Sequence, residues 1–426
     1  MARPRVVIVG AGFGGLSAAR ALRTASADVL VIDRHNYHLF QPLLYQVASG
    51  LLDPSEIAHP VRTILRGHRN TDVLMEEVVG IDLQRRVVRC DTEIAYDFLI
   101  VAAGAVTNHF GNAEIAAHTL GLKGLNDALA LRATVLERFE RAAECSDERQ
   151  RARLLTFVIA GAGPTGVEYA GALSELFTNL LPKDFPRLDF APVRVVLVEG
   201  KRRVLDTFHP RLGSMAAGVL RRRRVELTLG HTVVQADRGG ITLDDGTRID
   251  AATVIWTAGV RASPLGEQLT VRTAQSGRVP VRDTLHLPGH DEVQVIGDVA
   301  EFQDGGAPLP MLAPVAIQQG EHAARNIIAV LGGGSPAPFR YHDKGTMATV
   351  GRNYAVVQLG RIRVAGFVGW LMWLFVHLAY IITFRSKAVV LINWAWNYVF
   401  YDRPVRLITE VSPDRAAEQQ TTEANR

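Results

Sequence analysis

The chain has 426 residues, about three times the ~150 of an average domain, so two or three domains are expected. With 48% hydrophobic and 21% charged residues it can bury large cores and is not a disordered polypeptide. Its 47 basic residues nearly balance 43 acidic ones, and the net charge of +4 gives no argument for nucleic acid. The only two cysteines, Cys90 and Cys145, are too distant for a CxxC pair and too few for a disulfide framework or a four-cysteine zinc site. A reduced, cytosolic setting fits, and no metal is expected.

The chain opens with Val6-Val7-Ile8-Val9, too short an apolar run for a secretory leader, which needs roughly 7–15 such residues. It reads as a buried parallel strand. The strand runs into Gly10-Ala11-Gly12-Phe13-Gly14-Gly15, a helical pattern from Leu16 to Leu22, and a second apolar strand from Val29 that ends at Asp33. Gly10 permits a tight turn, Gly12 admits a pyrophosphate to the backbone, and Gly15 lets helix and strand pack closely. The helix amino terminus offers free N–H groups to phosphate, and Asp33 can accept from a ribose diol.

The pattern recurs at Leu155 to Ala160, Gly161-Ala162-Gly163-Pro164-Thr165-Gly166, a helix from Val167 to about Phe177, and a strand from Val195 to Glu199. Two such sites imply two dinucleotides, and hydride passes between them only if one is a nicotinamide and the other an acceptor such as a flavin. The Glu199 carboxylate repels a 2′-phosphate and so favours NADH over NADPH, while Lys201, Arg202 and Arg203 pull the other way. Two further strands, Tyr96 to Gly104 and Thr253 to Val260, end in small residues, Ala103-Gly104 and Ala258-Gly259, that let backbone lie against a flat cofactor. A late strand from Val293 ends in Gly297-Asp298, where the carboxylate serves either a flavin ribityl chain or a helix cap.

The paired glycine turns, the late Gly-Asp and their order resemble the two-dinucleotide-binding-domain flavoproteins. Tyr37 to Ala48 (YHLFQPLLYQVA), Gly161 to Glu168 (GAGPTGVE) and Asp343 to Gly351 (DKGTMATVG) resemble the type II NADH dehydrogenases, non-proton-pumping NADH:quinone oxidoreductases, over roughly residues 5–405. The resemblance implies an α/β fold of two Rossmann-like dinucleotide-binding domains, for FAD and NADH, plus a C-terminal helical membrane-association segment. It places the FAD domain at 1–120 and 275–335, the NADH domain at 150–270, the membrane-anchoring region at 340–405 and a flexible tail at 412–426. It also implies FAD contacts from Gly10, Gly12, Phe13, Gly14, Gly15, Asp33, Arg34, Gln46, Val78, Ala103, Gly104, Asp298 and Ala316. NADH contacts are implied for Gly161, Gly163, Pro164, Thr165, Gly166, Glu199, Ala258 and Gly259.

For catalysis the resemblance points to Glu168, Gln318 and Lys344. Glu168, read as lying in the first turn of the second glycine helix, serves either NADH binding and proton delivery or simple dipole stabilisation. In the family a quinone-site pattern Ala-Gln-x-Ala-x-Gln is common. Here Ala313-Pro314-Val315-Ala316-Ile317-Gln318 lacks the first glutamine and leaves Gln318 as the donor to a quinone carbonyl. Lys344 is either a stabiliser of developing negative charge or a solvated loop lysine.

Val364 to Phe384 is an uncharged 21-residue run with neutral His377, and a second apolar stretch spans Ala388 to Tyr401. Four of the five tryptophans lie in this tail, a distribution that favours a membrane interface. A spanning helix, two helices lying in the bilayer surface, and a dimer or core contact are the three readings, and the surface reading leads. The expectation is a peripheral enzyme on the cytoplasmic face of the cell membrane. It oxidises NADH through FAD and reduces a membrane quinone, menaquinone or ubiquinone, with the lipid surface and a second copy of the chain as partners. The alternatives are an NADH-dependent reductase of a small redox protein such as ferredoxin, and a dinucleotide sensor.

Overall fold

The computed structural model describes residues 3–269, 273–274, 276–400 and 405–408. The chain divides into two compact units, residues 1–39, 58–106 and 260–344 in the first, and residues 40–57, 107–259 and 345–426 in the second.

The first unit is built on a six-stranded sheet in the order His286–Leu287, His290–Val295, Phe98–Val101, Arg5–Val9, Asp28–Asp33, Thr71–Met75. All neighbours are parallel except the outermost pair. Val6 lies opposite Val29 on one side and Phe98 on the other. The Val6–Val9 run is buried on both faces, as a parallel sheet covered by helices requires. The glycine helix Phe13–Ala21 packs on the long helix Ala313–Leu331. A Cβ on Gly320 would sit 2.2 Å from the Gly14 carbonyl oxygen, so the two helices meet backbone to backbone.

The second unit contains a five-stranded parallel sheet in the order Leu120–Gly121, Thr253–Trp256, Thr156–Ala160, Arg194–Glu199, Val225–Leu229. The helix Pro164–Glu175 follows the strand Thr156–Ala160 and continues into a π-helical turn, Leu176–Leu180. A three-stranded antiparallel sheet, Thr346–Thr349, Ala355–Leu359 and Ile362–Gly366, packs on this helix and on the helix Phe367–Tyr380. A last helix, Phe384–Phe400, follows.

Two sequence expectations change. Residues 40–57 were expected with the flavin domain but pack into the second unit, because the short helix Leu44–Ala48 is buried against Leu125–Glu144 and Pro164–Glu175. The 21-residue apolar run is not one helix. Its first residues close the sheet at Gly366, whose φ of 88° starts the helix Phe367–Tyr380, and extended backbone at Ile381 ends that helix. Among the described residues no helix is long and apolar enough to cross a membrane. The flexible tail expected at 412–426 lies outside the described residues.

Candidate functional site

Each unit carries a glycine turn at the carboxyl end of its parallel sheet, the usual place for a nucleotide in such folds. In the first unit Gly10 has a φ of 99°, and in the second Gly161 has 101°, a region that side-chain-bearing residues rarely enter. The two turns are closed alike: Gly10 N donates to Ile32 O and Gly161 N to Val198 O, both at 2.8 Å. A Cβ on Gly15 would lie 1.8 Å from Gly10 O, and one on Gly166 would lie 1.9 Å from Gly161 O. Beside Gly12 and Gly163 such an atom would meet nothing within 4 Å. The closed positions are where helix meets strand, and the open ones are where a pyrophosphate needs access.

The acids that end the second strands are tied to these turns. Asp33 Oδ2 accepts from Ala11 N and Glu199 Oε2 from Ala162 N, both at 2.7 Å. Each carboxylate holds its own loop with one oxygen. Beyond Glu199, Lys201 and Arg203 share the single carboxylate of Asp206 at 2.9 and 2.8 Å, so the charge of one of the three cations expected to attract a 2′-phosphate is offset. Ala258 seals the second turn, since a Cβ on Gly161 would lie 2.5 Å from its Cα, and Gly259 follows it. Pro164 and Thr165 are exposed at the start of the helix.

Around the first turn, His38 is a residue that the sequence reading passed over. Its Nδ1 lies 2.9 Å from Ala11 O, and its ring meets that of Phe13 edge-on at 5.0 Å. Gly14 packs against Ile296 and the Ala316 carbonyl, and Gly297 against the Ala316 side chain. Ala103 and Val78 pack against the core of this unit, and Gly104 O accepts from Ser263 N. Asp298 sits in a short 3₁₀ turn, Gly297–Val299. Arg34 lies on the surface, 3.5 Å from Glu77.

Of the catalytic candidates, Glu168 is the one held in a built environment. It lies beyond the first helical turn, which has no acidic residue, so the dipole reading does not apply. It is buried, and its Oε1 accepts from Thr349 N at 3.2 Å. Burial pushes its carboxyl up to about 8, against the downward pull of the Thr349 amide. That puts its protonation change in the neutral range, where a proton-transfer group is useful. Tyr45 OH lies 3.0 Å from Thr349 Oγ1, Gln46 Nε2 donates to Tyr45 OH at 3.0 Å, and Trp394 Nε1 donates to Gln46 Oε1 at 2.8 Å. Gln46, expected at the flavin, therefore spends its amide inside the second unit. Tyr45 and Thr349 stood within recognisable motifs, but nothing in the linear pattern tied them to Trp394.

Gln318 and Lys344 belong to the first unit. The Gln318 amide pairs with both backbone groups of His342, each at 3.0 Å, so its donor is engaged by a loop. Lys344 is exposed. The neighbouring Gln319 is fully buried and accepts from Gly297 N at 2.7 Å, bracing the Gly-Asp turn.

In the tail, Trp373 and Trp394 are buried against each other at 5.7 Å, and His377 stacks on Trp373 at 4.0 Å. These tryptophans are core residues, not interfacial ones. The outward face carries Phe367, Val368, Phe375, Phe384, Leu391 and Ile392, all exposed. Phe375 is 74% and Phe384 86% accessible, an apolar surface of the kind that marks a membrane or protein contact.

The residues present fit FAD in the first unit: an open backbone at Gly12 for phosphate, Asp33 for ribose, and small residues Ala103 and Gly104 at a strand end.

The profile of the family described as pyridine nucleotide-disulphide oxidoreductase matches residues 4–320. The type II NADH:quinone oxidoreductase Ndh of Mycobacterium tuberculosis is 44% identical over 96% of this chain and 91% of its own length. A type II NADH:quinone oxidoreductase of Staphylococcus haemolyticus is 30% identical over 83% of this chain and 89% of its own. The structure of NDH2 from Plasmodium falciparum in complex with NADH has the same fold, with a TM-score of 0.87 at 18% identity, covering 95% of this chain and 99% of that one. The chain belongs to the pyridine nucleotide-disulphide oxidoreductase family and, within it, to the type II NADH:quinone oxidoreductases.

Proposed function

We propose that this protein is a non-proton-pumping NADH:quinone oxidoreductase that works through FAD at the surface of a membrane. The observation that carries this reading is the pair of glycine turns closed in the same way, one per unit, each braced by its own carboxylate at 2.7 Å. Whole-length similarity to quinone reductases supports a quinone as oxidant over a small soluble redox protein.

FAD would be held in the first unit by the Gly10–Gly15 turn, Asp33, Ala103 and Gly104, and when bound would supply the two-electron chemistry that links NADH to a quinone. The chain's residues do the positioning. Gly12 and Gly163 admit the two pyrophosphates to free helix N–H groups. Asp33 and Glu199 hold the turns with one oxygen, and the other, which accepts from His35 N at 2.8 Å in Asp33 and from Lys201 N at 3.0 Å in Glu199, has a remaining lone pair for a ribose; Glu199 disfavours a 2′-phosphate, which makes NADH the donor. Glu168, with its protonation balanced near neutrality, holds the proton that quinone reduction consumes. The Gln318 amide must leave His342 to reach a quinone, and Lys344 contributes charge only.

The exposed apolar face of the two tail helices supports docking on a lipid surface, on the cytoplasmic side where NADH is made. Quinone then arrives from the lipid, and the quinone class is menaquinone or ubiquinone. A second copy of the chain is another occupant of that face. Light scattering with and without vesicles separates the two. The functional reading is tested by NADH oxidation with menaquinone and ubiquinone analogues against ferredoxin. Quinone-dependent turnover is expected, and turnover with ferredoxin alone contradicts it.

A further inference from the structure

We propose that Trp394, in the last helix of the tail, is a positioning residue for Glu168, acting through Gln46, Tyr45 and Thr349. The inference rests on the reading of Glu168 as the proton-holding group and adds to it a residue that touches neither nucleotide motif.

The connection is continuous and directional. The Trp394 indole N–H donates to Gln46 Oε1 at 2.8 Å. The Gln46 amide donates to Tyr45 OH at 3.0 Å, which directs the phenolic proton toward Thr349 Oγ1, also at 3.0 Å. Thr349 N then donates to Glu168 Oε1 at 3.2 Å. Gln46, Tyr45, Thr349, Glu168 and Trp394 are all buried. With donors and acceptors ordered in this sense, each member fixes the rotamer of the next. The chain is not a proton wire, because an indole, an amide and a backbone N–H do not relay protons at neutral pH. It is a brace. It fixes the end of the strand Thr346–Thr349, and with it the amide that binds the carboxylate.

The same helix is anchored a second time, as Asn393 Nδ2 donates to Glu56 Oε1 at 2.5 Å. Its other face carries Leu391, Ile392 and Trp396, all exposed. A helix with one face in the apolar surface and the other holding the Glu168 strand couples tail seating to the proton site. Titratable groups on the helix of Glu168 and on elements packed near it include Tyr45, Tyr169, His377 and Glu175. Burial holds Tyr45 above its ordinary range and pushes His377 down to about 4, so both are neutral at pH 7, and Glu175 is paired with Arg223.

The test compares Trp394→Phe, which keeps an aromatic ring, removes the N–H and loses part of the buried volume, with Tyr45→Phe, Glu168→Gln and the Trp394→Phe/Tyr45→Phe double variant in the full-length holoenzyme. The readout is the pH profile of kcat for quinone reduction. Trp394→Phe is expected to lower kcat about tenfold with KM for NADH unchanged. It should also move the profile's midpoint further up, because the Thr349 amide that pulls the Glu168 carboxyl down is no longer held in place. The double variant should shift it no further than Tyr45→Phe alone, since both cut one chain. If Trp394→Phe does not fold, Tyr45→Phe carries the test. If Glu168→Gln abolishes the midpoint while Trp394→Phe lowers Tm and leaves it in place, Trp394 is only packing and the inference is overturned. If Glu168→Gln leaves the profile unchanged, the reading of Glu168 itself falls, and the inference with it.

Discussion

Glu199 Oε2 accepts the Ala162 N–H at 2.7 Å, so the residue proposed to select the nucleotide also fixes the glycine turn beside it. Glu199→Gln separates these two tasks, because an amide oxygen can still accept from Ala162 while the charge is gone. The NADPH to NADH ratio of kcat/KM is expected to rise about tenfold, as a like-charge contact near 1.4 kcal/mol is removed. Steady-state kinetics with both donors measure it, and an unchanged ratio would place selectivity elsewhere.

The two glycine turns fail separately. An alanine at position 15 puts a methyl 1.8 Å from Gly10 O, and one at position 166 puts it 1.9 Å from Gly161 O. Overpacking of this kind costs about 1–3 kcal/mol and opens the turn. Gly15→Ala is expected to purify with little flavin, seen in the ratio of visible to ultraviolet absorbance. Gly166→Ala should keep its flavin and lose reduction by NADH.

Burial of Glu168 has a stability signature. Its folded value, about 8, is above the ordinary carboxyl range, so between the two the native state holds a proton that the unfolded chain has released. The contribution is fully present at acid pH and is lost as pH rises through about 8. Glu168→Gln, neutral at every pH, should gain Tm relative to the parent as pH goes from 5 to 9. Parallel Tm curves would show that the carboxyl is not held neutral.

The proposed docking on lipid rests on the tail's outward aromatics. Phe375→Asp and Phe384→Asp replace side chains that are 74% and 86% accessible. Loss of one buried aromatic is expected to reduce partition onto lipid vesicles about tenfold. Vesicle sedimentation reads this, and undiminished binding would move the docking face elsewhere.

What the sequence made legible follows from where the physics is local. A glycine turn, the strand before it and the acid after it lie within one short stretch, so Gly10 to Asp33 and Gly161 to Glu199 could be read as nucleotide cradles from spacing alone. The Glu168 site could not. Tyr45, Thr349 and Trp394 come from three separate parts of the chain, and only the fold brings them to one carboxyl. Two of the tryptophans misled for a related reason. Composition favours an interface for all four in the tail, but Trp373 and Trp394 are buried in the second unit, while Trp396 is exposed like Phe375 and Phe384. Helix length also misled, since Gly366 and Ile381 divide a run whose hydropathy is continuous. For Gln318 the residue type suggested a quinone donor, whereas the structure shows its amide paired with His342.

The central claim, that two nucleotide sites in one chain pass electrons from NADH to a quinone, is tested most directly by anaerobic stopped-flow absorbance of the purified full-length protein. Mixing with NADH should bleach the visible flavin band, and a second mix with a menaquinone or ubiquinone analogue should restore it. A colourless protein, or a flavin band that saturating NADH leaves unchanged, would contradict the account.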